Sequence, residues 1–302
     1  MSDSSTSASP SPWIYAKLIA VTAMWGGTFT AGRIVSSNMP PLTGAAMRFW
    51  IAVIGLIALM LLTKSRFVKL TKTEILGTAA LGFTGIFLYN LGFFYVLKEL
   101  PAGRTSLLVS LNPIVTLLGA VLLMGEKLTV MRMVGVLLAF GGVFVVLSRG
   151  DPASLLGTAI GTGELIMFGA VCSWAAYSLI GKKMLNTLSP LVATTYAASW
   201  GALFLTIAAI LFWQPLPASA QSWPVAASLI FLGLFGTVVA FIWYYEGIKA
   251  IGASKAAVFN NLVPVFGVLQ AALFLGEPIL ISMVIGGLIT ISGVVLANSK
   301  SR

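Results

Sequence analysis

Apolar stretches of about twenty residues, separated by short polar or turn-forming segments, run along nearly the whole chain. A helix rises about 1.5 Å per residue, so roughly 20 mainly apolar residues cross the hydrocarbon of a bilayer. The pattern predicts ten spans: 13–36, 42–63, 73–97, 101–124, 129–148, 158–181, 189–212, 225–248, 252–275 and 279–298. The connections are short, as in a compact bundle. The polar start, MSDSSTSASPSP, lacks the positive n-region of a secretory signal. It is expected to be disordered, with the first apolar segment retained as a helix.

The ten segments read as two copies of one unit. Trp25 and Pro41 recur as Trp174 and Pro190, each 149 positions later. Pro113, Glu126 and Gly135 recur as Pro264, Glu277 and Gly286, each 151 positions later. The uncharged stretch 213–224, WQPLPASAQSWP, absorbs the two-residue change. It reads as a loop with Trp213 and Trp223 as interfacial anchors. Five spans per copy is an odd number, so the second copy enters the bilayer upside down relative to the first. The fold class expected is an all-α polytopic membrane protein, with ten transmembrane helices as two inverted five-helix repeats around a central cavity. That is transporter architecture. The expected divisions are a tail 1–12, repeats 13–148 and 158–298, a linker 149–157 and a terminus 299–302.

Composition agrees: 58% hydrophobic and 9% charged residues, with a mean hydropathy of +1.00, make lipid the solvent. A net charge of +10 raises the question of nucleic acid, but the bases are scattered and form no stripe. They read better as orientation signals. Thirteen Lys and Arg flank one set of helix ends, against Arg33, Lys98, Arg104 and Arg149 on the other. This predicts that both termini are cytoplasmic. The chain has no histidine and one cysteine, Cys172, so it has no intrachain disulfide and no imidazole for metal or proton work. No cofactor, metal or catalytic residue is expected. An enzyme reading has only carboxylates left to draw on.

Few charges lie deep in the spans. Glu126 and Glu277 sit at junctions leading into helices five and ten, where a carboxylate meets the N-terminal dipole of the next helix and Thr129 is a candidate N-cap. Glu246, in WYYEGIK, has Lys249 or Lys255 as its simplest partner. Arg48 is suited to bidentate contact with a carboxylate, although snorkelling to the outer interface is the plainer expectation. A mostly neutral cavity is therefore expected. Its polar candidates are Thr28, Tyr89, Asn90, Ser110, Asn112, Tyr177, Tyr244, Asn260 and Asn261, with Ser106, Ser178 and Tyr245 extending the set. Each has a second reading as interhelical glue. Phe93 shares a helix face with Tyr89 and aligns with Tyr244 in the repeat, as Phe94 does with Tyr245, so aromatic faces are expected on two walls. Trp25 and Trp174 are mid-span repeat mates whose indole N–H groups want partners, and they are expected to line the cavity or its gates.

Pro113 and Pro264 fall mid-helix in both copies and are expected to kink and gate. The 31 glycines cluster on helices three, five and ten, chiefly for packing, with a monomer favoured over a dimer through helices five or ten. Cys172 is expected to pack near the cavity.

The paired endings LMGE (123–126) and LGE (275–277), each after a proline-bearing helix, resemble the EamA repeats of the drug/metabolite transporter superfamily. AVTAMWGGTFTAGR (20–33) and PPLTGAAMRFW (40–50) are similar to that family's first two helices. The resemblance covers residues 13–298. It implies ten helices in the inner membrane of a bacterium and export of small metabolites, most like exporters of aromatic and other neutral amino acids. The alternatives are a broad drug/metabolite efflux carrier and a channel-like facilitator. Small multidrug pumps of the superfamily couple to protons through a Glu in their first helix. Here no acid lies between Lys17 and Arg33, so that coupling does not carry over.

Overall fold

A computed structural model describes residues 11–65, 69–100, 105, 108–148, 151, 153, 161–275 and 280–298. Residues 1–10, most of the 149–157 linker, Arg104, Ser106, Glu277, Pro278 and 299–302 lie outside that set. The described chain is nearly all helical. In order it forms α1 (Pro12–Asn38), α2 (Pro41–Leu62), α3 (Lys72–Glu99), α4 (Asn112–Met124) and α5 (Val130–Ser148). After these come α6 (Thr162–Met184), α7 (Pro190–Leu211), α8 (Trp223–Ile251), α9 (Leu262–Leu275) and α10 (Ile281–Asn298). Six of them, α1, α2, α3, α6, α7 and α8, are long and apolar enough to cross a bilayer.

Local sequence sets the ends. Thr71 and Glu74 form a capping box on α3: the Glu74 amide donates to Thr71 Oγ1 (3.3 Å) and the Thr71 amide to Glu74 Oε2 (2.9 Å). Ser189 caps α7 by accepting from the Val192 amide at 3.3 Å. Pro41, Pro190 and Pro224 sit in first turns, where a missing N–H leaves no bond unmade. Gly125 (φ 64°) ends α4 and Gly252 (φ 88°) ends α8, both in the left-handed region that glycine tolerates.

The two mid-helix prolines break their helices instead of kinking them. α4 begins at Asn112, which places Pro113 in its first turn. Pro264 stands in the first turn of α9, after a short helix Ala253–Val258 and a 3₁₀ turn Phe259–Asn261. A proline lacks the amide for an interior bond but suits a first turn, so the chain restarts the helix there. A second irregularity has no counterpart in the sequence reading. α3 widens to a π-helix over Gly82–Leu88, and α8 does so over Leu234–Val239, a closely repeat-matched position.

The main contacts cross between residues 12–148 and 161–298. α1 packs on α8 and α9, α6 on α3 and α4, α2 on α7, and α5 on α10. Large apolar side chains such as Leu62, Leu122, Leu211 and Leu288 cover the outside, as lipid requires. Cys172 belongs to that outer surface and not to the cavity side. It is exposed on the same face of α6 as Leu165 and Phe168, seven and four residues before it. Trp213 and Trp223 are exposed at the ends of α7 and α8.

The α5–α10 pair approaches closest. A Cβ placed on Gly135 would fall 2.4 Å from Ala297 N; one on Gly142 would fall 2.4 Å from Thr290 N. One on Gly293 would fall 2.3 Å from Ala139 N. Backbone touches backbone, so these glycines serve contact within the chain. Gly142→Ala is therefore expected to cost about 1–3 kcal/mol, read as a lowered Tm of the detergent-purified protein. Gly141→Ala, whose Cβ meets nothing within 4 Å, should leave Tm unlowered.

Candidate functional site

The two repeat-matched tryptophans meet at the centre of the bundle. Trp25 on α1 and Trp174 on α6 pack edge to face, ring centroids 5.2 Å apart at 88°. Trp25 Nε1 donates to the Gly236 carbonyl at 3.1 Å, a carbonyl of the π-segment in α8. π-Winding misaligns the ordinary ladder and leaves such oxygens to find other donors. Around this pair, Tyr89 lies 5.0 Å from Trp174 and stacks on Phe93 at 5.8 Å, while Phe241 lies 5.4 Å from Trp174. Each aromatic pair of this kind adds about 0.5–1.5 kcal/mol beyond burial.

Above these rings opens a cavity enclosing about 500 Å³ of space between atoms, mouth included. Its lining is Trp25, Thr28, Phe29, Arg48, Tyr89, Asn90, Phe93, Val109, Asn112, Trp174, Gly236, Phe241, Asn260 and Val263. Eight of these are the cavity residues expected from sequence: Trp25, Thr28, Tyr89, Asn90, Phe93, Asn112, Trp174 and Asn260. The helix breaks at Asn112 and at 259–261 deliver two amides to the wall. Phe241 and Gly236 were not anticipated; a pointer to Gly236 was its repeat partner Gly85, 151 positions earlier.

Arg48 overturns the snorkelling expectation. It is only 5% exposed and turns into the bundle. Its Nη1 donates to Asn90 Oδ1 (3.3 Å) and its Nη2 to Thr237 Oγ1 (3.0 Å), and the guanidinium lies 4.9 Å from the Phe49 ring. Thr237 is itself tied to the Leu232 carbonyl across the π-segment at 2.9 Å. The side chain stays inside because two helices offer it acceptors and an aromatic face. Among the described residues, no carboxylate lines the cavity.

Other candidates stand behind the wall. Tyr244 is buried, shares a 3.0 Å hydrogen bond with Ser178 and packs 5.1 Å from Trp25. Tyr177 stacks on Tyr245 at 5.0 Å. Ser110 and Asn261 are buried at the two helix breaks, with Pro113 and Pro264 beside them and off the cavity surface. The expected symmetry of aromatic walls is therefore not kept: Phe93 faces the cavity, and its repeat mate Tyr244 is packed shut.

Two ion sites join the chain's halves away from the cavity. Glu246 pairs with Lys17 of α1 and not with Lys249 or Lys255, because α1 packs directly against α8 while Lys249 faces outward. Glu126 accepts from Lys182 of α6 (2.8 Å), Arg132 of α5 (3.1 Å) and Ser254. Thr129 Oγ1 accepts from the Arg132 amide at 3.3 Å, as an N-cap does. The junction carboxylate thus meets a cationic cluster, while Thr129 caps the helix that follows. Partial burial pushes its pKa up, but hydrogen bonds from Lys182 and Ser254 and the charges of Lys182 and Arg132 prevail and hold it below the ordinary 4.5.

Comparison with known proteins points one way. The EamA-like transporter family model matches residues 12–148 and 161–299. Uncharacterized transporter YyaM of Bacillus subtilis (strain 168) is 31% identical over 96% of this chain and 94% of its own length. A probable terminal-alkyne amino-acid exporter of Streptantibioticus cattleyicolor is 26% identical over 74% of this chain and 73% of that protein. A crystal structure, 22% identical, superposes at a TM-score of 0.76 over 94% of this chain and 96% of that one, which shows a shared fold.

The Glu126 cluster yields a signed pH prediction. A depressed carboxylate pKa contributes stability above the unfolded value and loses it as pH falls through the folded one. Glu126→Gln should lower Tm at pH 7, and the gap to wild type should close below about pH 4 in melts of purified protein.

Proposed function

This chain belongs to the EamA-like transporter family, and we propose that it exports small neutral metabolites, amino acids including aromatic ones, by alternating access. The family is one of transporters, not enzymes, and its setting is a membrane. In the finer reading, ten spans form two inverted five-helix repeats in the inner membrane of a bacterium, both termini cytoplasmic, working as a monomer.

One observation carries this reading most: the cavity is enclosed unequally by matching parts of two repeats. Phe93 borders the space while Tyr244, its counterpart, is closed off near Glu246. A carrier caught with one side open and the other shut has this asymmetry, whereas a continuous pore does not. The Lys17–Glu246 pair and the Glu126 cluster span the halves beside the closed part, where a gate must hold and release. The substrate would rest against Trp25, Tyr89 and Trp174, with Thr28, Asn90, Asn112 and Asn260 supplying polar contacts. Pro113 and Pro264 mark the flexible joints, with Ser110 and Asn261 beside them. An amide and aromatic lining with Arg48 as its one listed charge suits a zwitterion, which has no net charge, and a relative named as an amino-acid exporter supports that class. With no acid on the cavity wall among the described residues, uniport or exchange is favoured over proton antiport.

Counterflow in proteoliposomes tests this. Purified protein should accumulate radiolabelled phenylalanine or tryptophan against internal unlabelled amino acid, with saturation and trans-stimulation. Tyr89→Ala and Trp25→Phe should each reduce the rate at least about tenfold, roughly 1.4 kcal/mol, at unchanged folded yield. Linear, unsaturable flux would mean a pore, and unaltered counterflow in both variants would remove these residues from the site.

A further inference from the structure

The cavity lining holds unmatched hydrogen-bonding groups of both signs, the donors Arg48 Nε and Trp174 Nε1 and the acceptors Asn112 Oδ1 and Asn260 Oδ1. On the α2 side, Arg48 Nε is buried without an acceptor among the described residues, while the two Nη atoms are engaged. At the two helix breaks, Asn112 Oδ1 and Asn260 Oδ1 are buried without a donor among the described residues, and their residues are 1% and 2% exposed. A buried donor or acceptor left without a partner is costly, so such groups in a ligand cavity describe the ligand's own polar groups in reverse. A free cationic donor calls for an anionic acceptor. Two free amide oxygens call for a donor rich in hydrogens.

Building on the exporter reading above, we infer that this site binds the zwitterionic head of an α-amino acid, its carboxylate on Arg48 and its ammonium on Asn112 and Asn260. Arg48 then acts as the determinant of substrate class. Its two existing bonds, to Asn90 and Thr237, fix the guanidinium plane and leave the Nε–H edge for the carboxylate. The side chain of the substrate lies against Trp25, Trp174 and Tyr89, whose faces also favour the ammonium. The bound zwitterion leaves the charge of the site unchanged. While substrate is bound, its carboxylate compensates Arg48 and its ammonium is carried by neutral groups.

The test needs four small probes on the intact protein: L-phenylalanine, L-phenylalaninamide, 3-phenylpropionate and phenethylamine. Quenching of tryptophan fluorescence reports binding, since Trp25 and Trp174 line the site. Phenylalanine should half-saturate at a concentration at least about tenfold below each of the other three, a tenfold step being about 1.4 kcal/mol. Arg48→Lys should weaken phenylalanine binding while leaving phenethylamine within about twofold. Because that variant risks misfolding, the wild-type series alone decides the matter. If the amide binds as tightly as phenylalanine, the carboxylate assignment to Arg48 falls and the amino-acid exporter reading survives. If phenylpropionate matches phenylalanine, the ammonium half falls and the site is one for monocarboxylates. If none of the four binds and none undergoes counterflow, both this inference and the exporter reading are overturned.

Discussion

Inside hydrocarbon a peptide group has no water to turn to, so every carbonyl and amide must find its partner within the protein. Among the described residues, four departures from regular α-helix, two π-segments and two breaks at prolines, converge on one region. The π-segments of α3 and α8 stand beside Asn90 and Gly236, and the breaks before α4 and α9 deliver Asn112 and Asn260. The indole of Trp25 and the hydroxyl of Thr237 meet the loosened carbonyls at Gly236 and Leu232. Irregular backbone is tolerated there because it borders a cavity with polar side chains at hand.

Charge is arranged under the same constraint. Among the described residues, the cavity wall carries one guanidinium, Arg48, held by an amide, a hydroxyl and aromatic rings instead of an acid. Two acids, Glu126 and Glu246, are paired away from the cavity, each facing a cation from another helix. Buried pairs of this sort are weak evidence for stability, since desolvation offsets much of their attraction. Their placement between halves says more: they fix how two sets of helices meet at one end.

Much of this was legible in the text. Repetition at offsets of 149 and 151 points to Trp25 and Trp174, which touch, and to Pro113 and Pro264, which stand in first turns at equivalent places. The aromatic face of α3 followed from spacing of four, and Tyr89 and Phe93 share the cavity. What failed depended on long-range geometry. Glu246 takes a lysine 229 positions away, where sequence offers only near neighbours. Arg48 was assigned to the interface because no sequence rule reveals that Asn90 and Thr237 will stand within reach. Repeat arithmetic treats Phe93 and Tyr244 as equals, yet a cavity displaced to one side must treat them differently. Cys172 was misplaced for a simpler reason: its position seven after Leu165 already put it on the outer stripe.

The glycine seam between α5 and α10 also bears on how the molecule is made. Gly135 and Ala297 are separated by about 160 residues of chain, which a ribosome needs roughly 8–30 s to add. For that interval the first half has a groove of bare peptide and no occupant for it. Because α5 satisfies its own backbone bonds, lipid can fill that groove until the final helix emerges and displaces it.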